Sequence, residues 1–386
     1  MRLLLLTQDF PPDTGGTQTY ALELARRLAP RCDDFAVLAP HIAGCEATDA
    51  RLPFPVIRVR AGYDSFAVKA LGALLHHTRH RPADATLHVQ WATAGTGLAA
   101  RRLGHLRRVY VAAHGRELLF NPLPRPFGGL YDQLRRAILR RADHLFPVSR
   151  YTGGLLAAAG VRPERWTVVP NGTDPDRFVP LEATPLRTRL GLEHRPTLLT
   201  VCRLVPRKGV DTVLQALPQV VEAVPEVVYL IGGDGPDRPR LEGLTRDLGV
   251  TDHVRFCGRI PDDDLPLLYN ACDVFVMPSR LDPPHVEGFG LVFLEAGACG
   301  KPVVGARTGG IPDAVADGET GLLVPPDDPP TLAAALCRLL AAPDWARHLG
   351  RQGRRRVLEA FTWDHAADRL FATLRRDLAA FAKAPL

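Results

Sequence analysis

The sequence predicts an α/β protein of two Rossmann-like domains, each a doubly wound parallel sheet. Short apolar runs alternate with amphipathic helices along residues 3–148, and the same alternation recurs along 197–324. Between them, residues 170–196 hold Pro170, Pro175, Pro180, Pro185 and Pro196 with little periodicity, which marks a linker. A chain of 386 residues suits two ordinary domains, each large enough to bury its own core.

In the first half the runs at 3–7, 35–39, 56–59, 87–90, 109–113 and 144–148 read as buried strands, with helices such as 17–28 and 127–141 between them. In the second half the strands fall at 197–201, 227–231, 254–257, 274–277, 302–305 and 321–324. The alternation predicts right-handed crossovers and domains at 1–180 and 190–363. Two such sheets facing across a cleft would present their strand C-terminal ends, and any ligand, at the junction. A last helix from 364 carries Leu370, Phe371, Leu374 and Leu378 at near-helical spacing.

Nearly half the residues are hydrophobic and 23% are charged, the balance of a soluble globular protein. No apolar run approaches the roughly 18 residues that a membrane span needs. Leu3 to Leu6 is too short for a signal sequence and reads as the first strand, so a cytoplasmic location is expected. Seven cysteines form no CxxC pair and show no clustering with histidine, which argues against zinc and disulfides. Charge is uneven: residues 1–195 carry 27 Lys and Arg against 17 Asp and Glu, and the remainder is net acidic. Such an excess reads either as arginine pairs on solvated helix faces or as attraction to an anionic partner. The segment 66–81 reads equally as a membrane-surface helix or as a packed helix with a basic end.

Function concentrates in the stretch that contains Glu287 and Glu295, separated by seven residues. Gly288 and Gly290 read as a turn and Leu291 opens an apolar helix, so one carboxylate lies in the loop and the other on the helix one turn in. Free amides at that helix N-terminus, flanked by two carboxylates, suit a ligand with an anion and several hydroxyls. Arg203 and Lys208 lie between a strand end and a helix N-terminus, a second anion site. The chain has only four lysines among 48 basic residues, so a lysine at this point suggests that a compact ammonium is wanted there.

With Thr308-Gly-Gly-Ile-Pro-Asp313, Pro11-Pro-Asp-Thr-Gly-Gly16, His114-Gly115, Pro170-Asn-Gly172, Gly232-Gly-Asp-Gly235 and Gly318-Glu-Thr-Gly321 in order, the chain resembles the retaining nucleotide-sugar glycosyltransferases of family 4 over nearly its whole length. Within them it is similar to bacterial enzymes of the phosphatidylinositol mannosyltransferase type. The resemblance implies the GT-B fold, an acceptor-side first domain on which the last helix, 364–386, packs back, and a donor-binding second domain. It implies that Arg203 and Lys208 hold the donor diphosphate, where compensation of leaving-group charge replaces a metal. No metal or other cofactor is then expected, and Asp262-Asp-Asp264 reads as a polar turn.

By the same resemblance Glu287 contacts the donor sugar, the backbone of Phe289, Gly290 and Leu291 meets sugar or phosphate, and Glu295 accepts from the ribose hydroxyls. His114 is implied to position the sugar's reacting end, Gly15 and Gly16 to let the first loop approach the phosphate, and the backbone of Gly258 and Ile260 to hold the base. The partners implied are a nucleotide-diphosphate sugar and a hydroxyl acceptor, and the basic excess of the first half is best explained by an anionic lipid or glycan acceptor or by docking at the inner membrane face. A nicotinamide-dependent oxidoreductase would need GxGxxG after the first strand, and residues 7–16 lack it. A non-catalytic binder of anions or nucleic acid finds support only in the charge, with no RNA-binding motif.

Overall fold

The computed structural model describes residues 1–63, 65–123 and 127–383, so residues 384–386 of the expected last segment lie outside the described residues. Two compact units emerge, one from Met1–Asn171 with the segment from Trp363 onward, the other from Gly172–Thr362.

The first unit contains β1 (Arg2–Leu6), β2 (Asp34–Pro40), β3 (Val56–Val59), β4 (Ala83–His88), β5 (Leu106–Ala113) and β6 (His144–Pro147). They form one sheet in the order β3-β2-β1-β4-β5-β6, all parallel. The central strand β1 is buried at all five positions, as a strand covered on both faces must be, which is why it reads as an unbroken leucine run. β4 begins four residues before the expected 87, because Ala83-Asp-Ala-Thr86 carries no apolar run, and it ends at His88 because the next helix starts at Trp91. The helix Gly16–Leu28 buries Tyr20, Ala21, Leu24, Ala25 and Leu28 along one stripe. Against it lies the final helix Trp363–Lys383, which buries Ala366, Ala367, Leu370 and Leu374. Its outer edge is pinned by Arg27 to Asp364 at 3.2 Å and Arg31 to Asp368 at 2.7 Å. The helix Phe66–Thr78 buries Phe66, Ala70, Leu74 and Thr78, the pattern of a packed helix. Among the described residues no helix is long and apolar enough to cross a membrane.

The second unit contains β7 (Thr197–Val201), β8 (Val228–Gly232), β9 (Val254–Gly258), β10 (Val274–Met277), β11 (Val303–Ala306) and β12 (Gly321–Val324). Their order, β12-β11-β10-β7-β8-β9, is also parallel throughout and repeats the topology of the first sheet. In this topology ligands settle outside the strand C-terminal ends where the order reverses, between β1 and β4 and between β7 and β10.

The expected boundary at 180 shifts to Asn171/Gly172, since the following residues are strapped to the second unit. The Thr173 amide donates to the Phe361 carbonyl at 2.9 Å, and Phe178 is buried edge-on to Tyr269. The Arg187 guanidinium then donates to the carbonyls of Ala271, Leu192 and Arg195, so prolines that look like a free linker form a belt. The glycines at 232–235 serve close chain approach: a side chain at Gly233 would collide with the Cys202 carbonyl and one at Gly235 with that of Leu204. Asp262–Asp264 forms a short 3-10 turn ahead of the helix Leu265–Ala271.

Candidate active site

In the second unit the chain leaves β7 into the turn Pro206–Lys208 and the helix Val210–Ala223, and leaves β10 into a loop that ends at the helix Leu291–Ala298. These two loops meet at the reversal point of the sheet. Lys208 Nζ donates to Glu287 Oε2 at 2.5 Å, and Arg207 Nη1 lies 3.4 Å from the same oxygen. The side chains of Lys208 and Glu287 are 13% and 16% exposed. Burial pushes the Glu287 carboxyl up, but Lys208 and Arg207 outweigh it and hold the group below its ordinary range. The two residues expected at separate parts of a ligand are thus direct partners, and Arg207 joins them, overlooked because the scarcity of lysine drew attention to its neighbour.

A network fixes the distance between the two loops. The Arg280 amide donates to the Arg207 carbonyl at 2.9 Å, and the Arg280 guanidinium donates to Asp211 Oδ1 at 2.8 Å. Asp211, buried in the first turn of its helix, also receives Arg240 at 3.0 Å. On the far side the Gly310 amide donates to the Glu287 carbonyl at 2.9 Å, and Gly309 adopts φ 52° where any side chain would collide with that carbonyl. The Thr308-Gly-Gly motif is therefore the cradle of the Glu287 backbone.

The helix Leu291–Ala298 starts from Gly290 with no side-chain cap. Among the described residues the amides of Phe289, Gly290 and Leu291 have no hydrogen-bond partner, so this N-terminus retains free donors. Phe289 is buried and stacks on Phe361 at 6.1 Å, which fixes the approach to the helix. One turn in, Glu295 Oε2 accepts from the Tyr269 hydroxyl at 2.6 Å. Burial pushes the Glu295 carboxyl up, while the Tyr269 bond and the Arg177 charge oppose this without cancelling it. Arg203 is exposed, without a hydrogen bond or ion pair among the described residues. Gly258 closes β9 and its carbonyl receives the Gly233 amide at 2.7 Å, while Ile260 lies against Gly232. All the residues expected in the second unit thus gather at the C-terminal ends of β7, β8, β9 and β10.

In the first unit Gly15 and Gly16 follow β1 and open the helix Gly16–Leu28, both exposed. His114 follows β5. Its Nε2 lies 3.0 Å from the Val89 carbonyl, an acceptor only, so Nε2 carries the hydrogen and Nδ1 is an acceptor. Burial lowers its pKa and keeps the ring neutral, with Tyr20 edge-on at 4.6 Å. Glu117 holds the turn by accepting from the His114 amide at 2.6 Å, a role with no signal in the sequence. The expectation that no cysteine neighbours a histidine fails at Cys45. His41, Cys45 and Glu46 bring their ligand atoms within 4.8 Å of one another, because the turn after β2 folds the three together.

Two parallel sheets of one topology, with cations and carboxylates at the strand ends of the second, are the arrangement expected of a GT-B glycosyltransferase. The chain belongs to glycosyltransferase family 4: residues 14–177 match the model described as Glycosyltransferase Family 4, and 184–356 that of Glycosyl transferases group 1. It is 36% identical, over 95% of its length and 97% of the relative's, to the GDP-mannose-dependent alpha-(1-6)-phosphatidylinositol monomannoside mannosyltransferase of Mycolicibacterium smegmatis. It is 32% identical, over 95% and 86%, to the D-inositol 3-phosphate glycosyltransferase of Geodermatophilus obscurus. Among solved structures, sucrose-phosphate synthase from Thermosynechococcus elongatus superposes with a TM-score of 0.81 at 27% identity, covering 98% of this chain and 100% of that one. Anabaena HepE in complex with UDP gives 0.83 at 22% identity, covering 97% and 100%, a likeness of fold.

Proposed function

We propose that the chain transfers a hexosyl group, with retention and without a metal, from a nucleotide-diphosphate sugar to an acceptor hydroxyl. The observation that carries this reading is the Lys208–Glu287 pair with Arg207, held at the reversal point of the second sheet beside the uncapped helix N-terminus. Arg203 and Lys208 bind the diphosphate and stabilise the charge that develops on the leaving nucleotide. Glu287 orients the sugar hydroxyls, Glu295 takes the ribose, and the backbone at Gly258 and Ile260 holds the base. Neutral His114 positions the sugar through an acceptor nitrogen and is no general base. GDP-mannose is the first donor to try, followed by the UDP-hexoses, on the strength of the mannosyltransferase relative. The basic excess of residues 1–195 favours an anionic lipid or glycan acceptor, with docking at the inner face of a membrane.

Nucleotide release and glycosyl transfer are measured with GDP-mannose and UDP-hexoses, in EDTA, with phosphatidylinositol in vesicles and with soluble hydroxyl acceptors. Transfer is expected with one donor, with the anomeric configuration kept. Glu287→Ala and Lys208→Ala should each lower kcat by at least about 100-fold, the usual effect of removing one preorganised charge partner. No transfer and no nucleotide binding with any donor would overturn the reading.

A further inference from the structure

We infer that Tyr269 is a positioning residue that fixes the Glu295 carboxylate for the ribose diol of the nucleotide, and so sets the preference for ribonucleotides over their 2′-deoxy forms. This rests on the reading of Glu295 as the ribose acceptor. Tyr269 lies on the helix Leu265–Ala271 and is fully buried. Its ring stands edge-on to Phe178 at 5.8 Å and tilted against Phe275 of β10 at 5.7 Å, which leaves the phenol one direction in which to point. That direction is Glu295 Oε2, 2.6 Å away.

A phenylalanine would fill the same aromatic cluster without the cost of burying a hydroxyl, so the oxygen is accounted for by Glu295 alone. The bond is short, and when Glu295 is ionised to receive the ribose it belongs to the stronger class of hydrogen bond. It occupies Oε2, fixes the plane of the carboxylate and leaves Oε1 to receive hydroxyl donors. Burial works against an ionised Glu295, and a carboxylic acid would offer a donor where the ribose needs an acceptor. Tyr269 and Arg177 oppose that protonation, and Asp262 favours it. A tyrosine that merely ties the helices Leu265–Ala271 and Leu291–Ala298 together would affect stability but not the choice between ribose and deoxyribose.

The test compares the Kd of the better binder of UDP and GDP with that of its 2′-deoxy counterpart, in wild type, Glu295→Gln and Tyr269→Phe, with thermal midpoints alongside. Wild type should prefer the ribonucleotide by about 10-fold or more, the usual value of a hydrogen bond to a charged group. Tyr269→Phe should weaken ribonucleotide binding, leave the deoxy form nearly unchanged and bring the ratio close to that of Glu295→Gln. No ribose preference in wild type would remove the Glu295 reading itself. A wild-type preference that survives in folded Tyr269→Phe would overturn the inference alone. Should Tyr269→Phe fail to fold, Phe178→Leu, which loosens the ring but keeps the hydroxyl, takes its place; a reduced ratio supports the inference and an unchanged one overturns it.

Discussion

At the scale of residues, Glu287 shows how a carboxylate stays ionised where burial opposes it. One ammonium at 2.5 Å and one guanidinium at 3.4 Å supply the compensation. Lys208 therefore already serves Glu287, and on the proposed reading a bound diphosphate would have to share it. Because the native pKa of Glu287 is depressed, its stabilising contribution is complete above the ordinary carboxylate range and is lost as pH falls through the depressed native value. Glu287→Gln leaves two partly buried cations facing an amide and should cost about 3 kcal/mol at pH 7. Denaturant midpoints of the two proteins should begin to converge as pH falls below the ordinary carboxylate range and meet only once it has passed the depressed native value of Glu287. A gap that stayed constant down to pH 3 would show that the pair contributes nothing through its charge. Glu287, Glu295 and Lys208 were legible because each stands in a motif beside a turn or a helix start. Arg207 was hidden by its more conspicuous neighbour. Tyr269 lies 26 residues before Glu295, on another helix, and no local pattern could join them.

At the scale of elements, strands were legible where both faces are buried and filled by large apolar side chains, as in β1, since such a strand has no solvent-facing position to interrupt its apolar run. The expected β4 lacked its first four residues because Ala83-Asp-Ala-Thr86 has the composition of a loop, and the neighbours β1 and β5 recruit it into the sheet. The glycine motifs were legible as loops, but their purpose was not: it depends on which backbone passes beside them. Gly309 illustrates the point, because its left-handed backbone and the adjacent Glu287 carbonyl both exclude a side chain. Gly318 has φ 76° with nothing within 4 Å, so it carries the conformational penalty alone. Gly318→Ala should therefore cost about 1 kcal/mol and retain activity. Gly309→Ala should cost about 3 kcal/mol, combining backbone strain with a clash of chain against chain, and should also weaken donor binding by displacing Glu287. Urea unfolding and nucleotide titration of both variants check this, and equal losses would refute the role of the cradle.

At the scale of the whole molecule, the second unit is an insertion within the first. The chain leaves the first unit at Asn171 and returns at Trp363, and the two ends of the inserted unit close on each other. The Thr173 amide bonds to the Phe361 carbonyl, and Thr173 pairs with Thr362 as an isolated parallel bridge. Every residue expected to hold the nucleotide, apart from Gly15 and Gly16, belongs to this insertion. It has its own buried core, in which the helices Val210–Ala223 and Pro329–Ala341 pack on one face of its sheet. Residues 172–362 alone should therefore fold and bind the free nucleoside diphosphate within about 10-fold of the full chain, since few of the contacts that set affinity are lost. The first unit is not so independent. Its contribution from beyond residue 362 is one helix, and removing that helix would uncover Tyr20 and the surface that Leu370 and Leu374 cover. Deleting three or more buried apolar side chains at about 2 kcal/mol each would consume most of the stability of a unit of this size. A chain ended at Thr362 should then lose the cooperative unfolding transition of its first unit while still binding nucleotide. Calorimetry and nucleotide titration of the two truncated chains separate these outcomes. A stable first unit without the final helix would mean that this helix is an accessory to the fold, and loss of nucleotide binding by folded 172–362 would mean that the first unit supplies a larger share of the donor site than its glycines suggest.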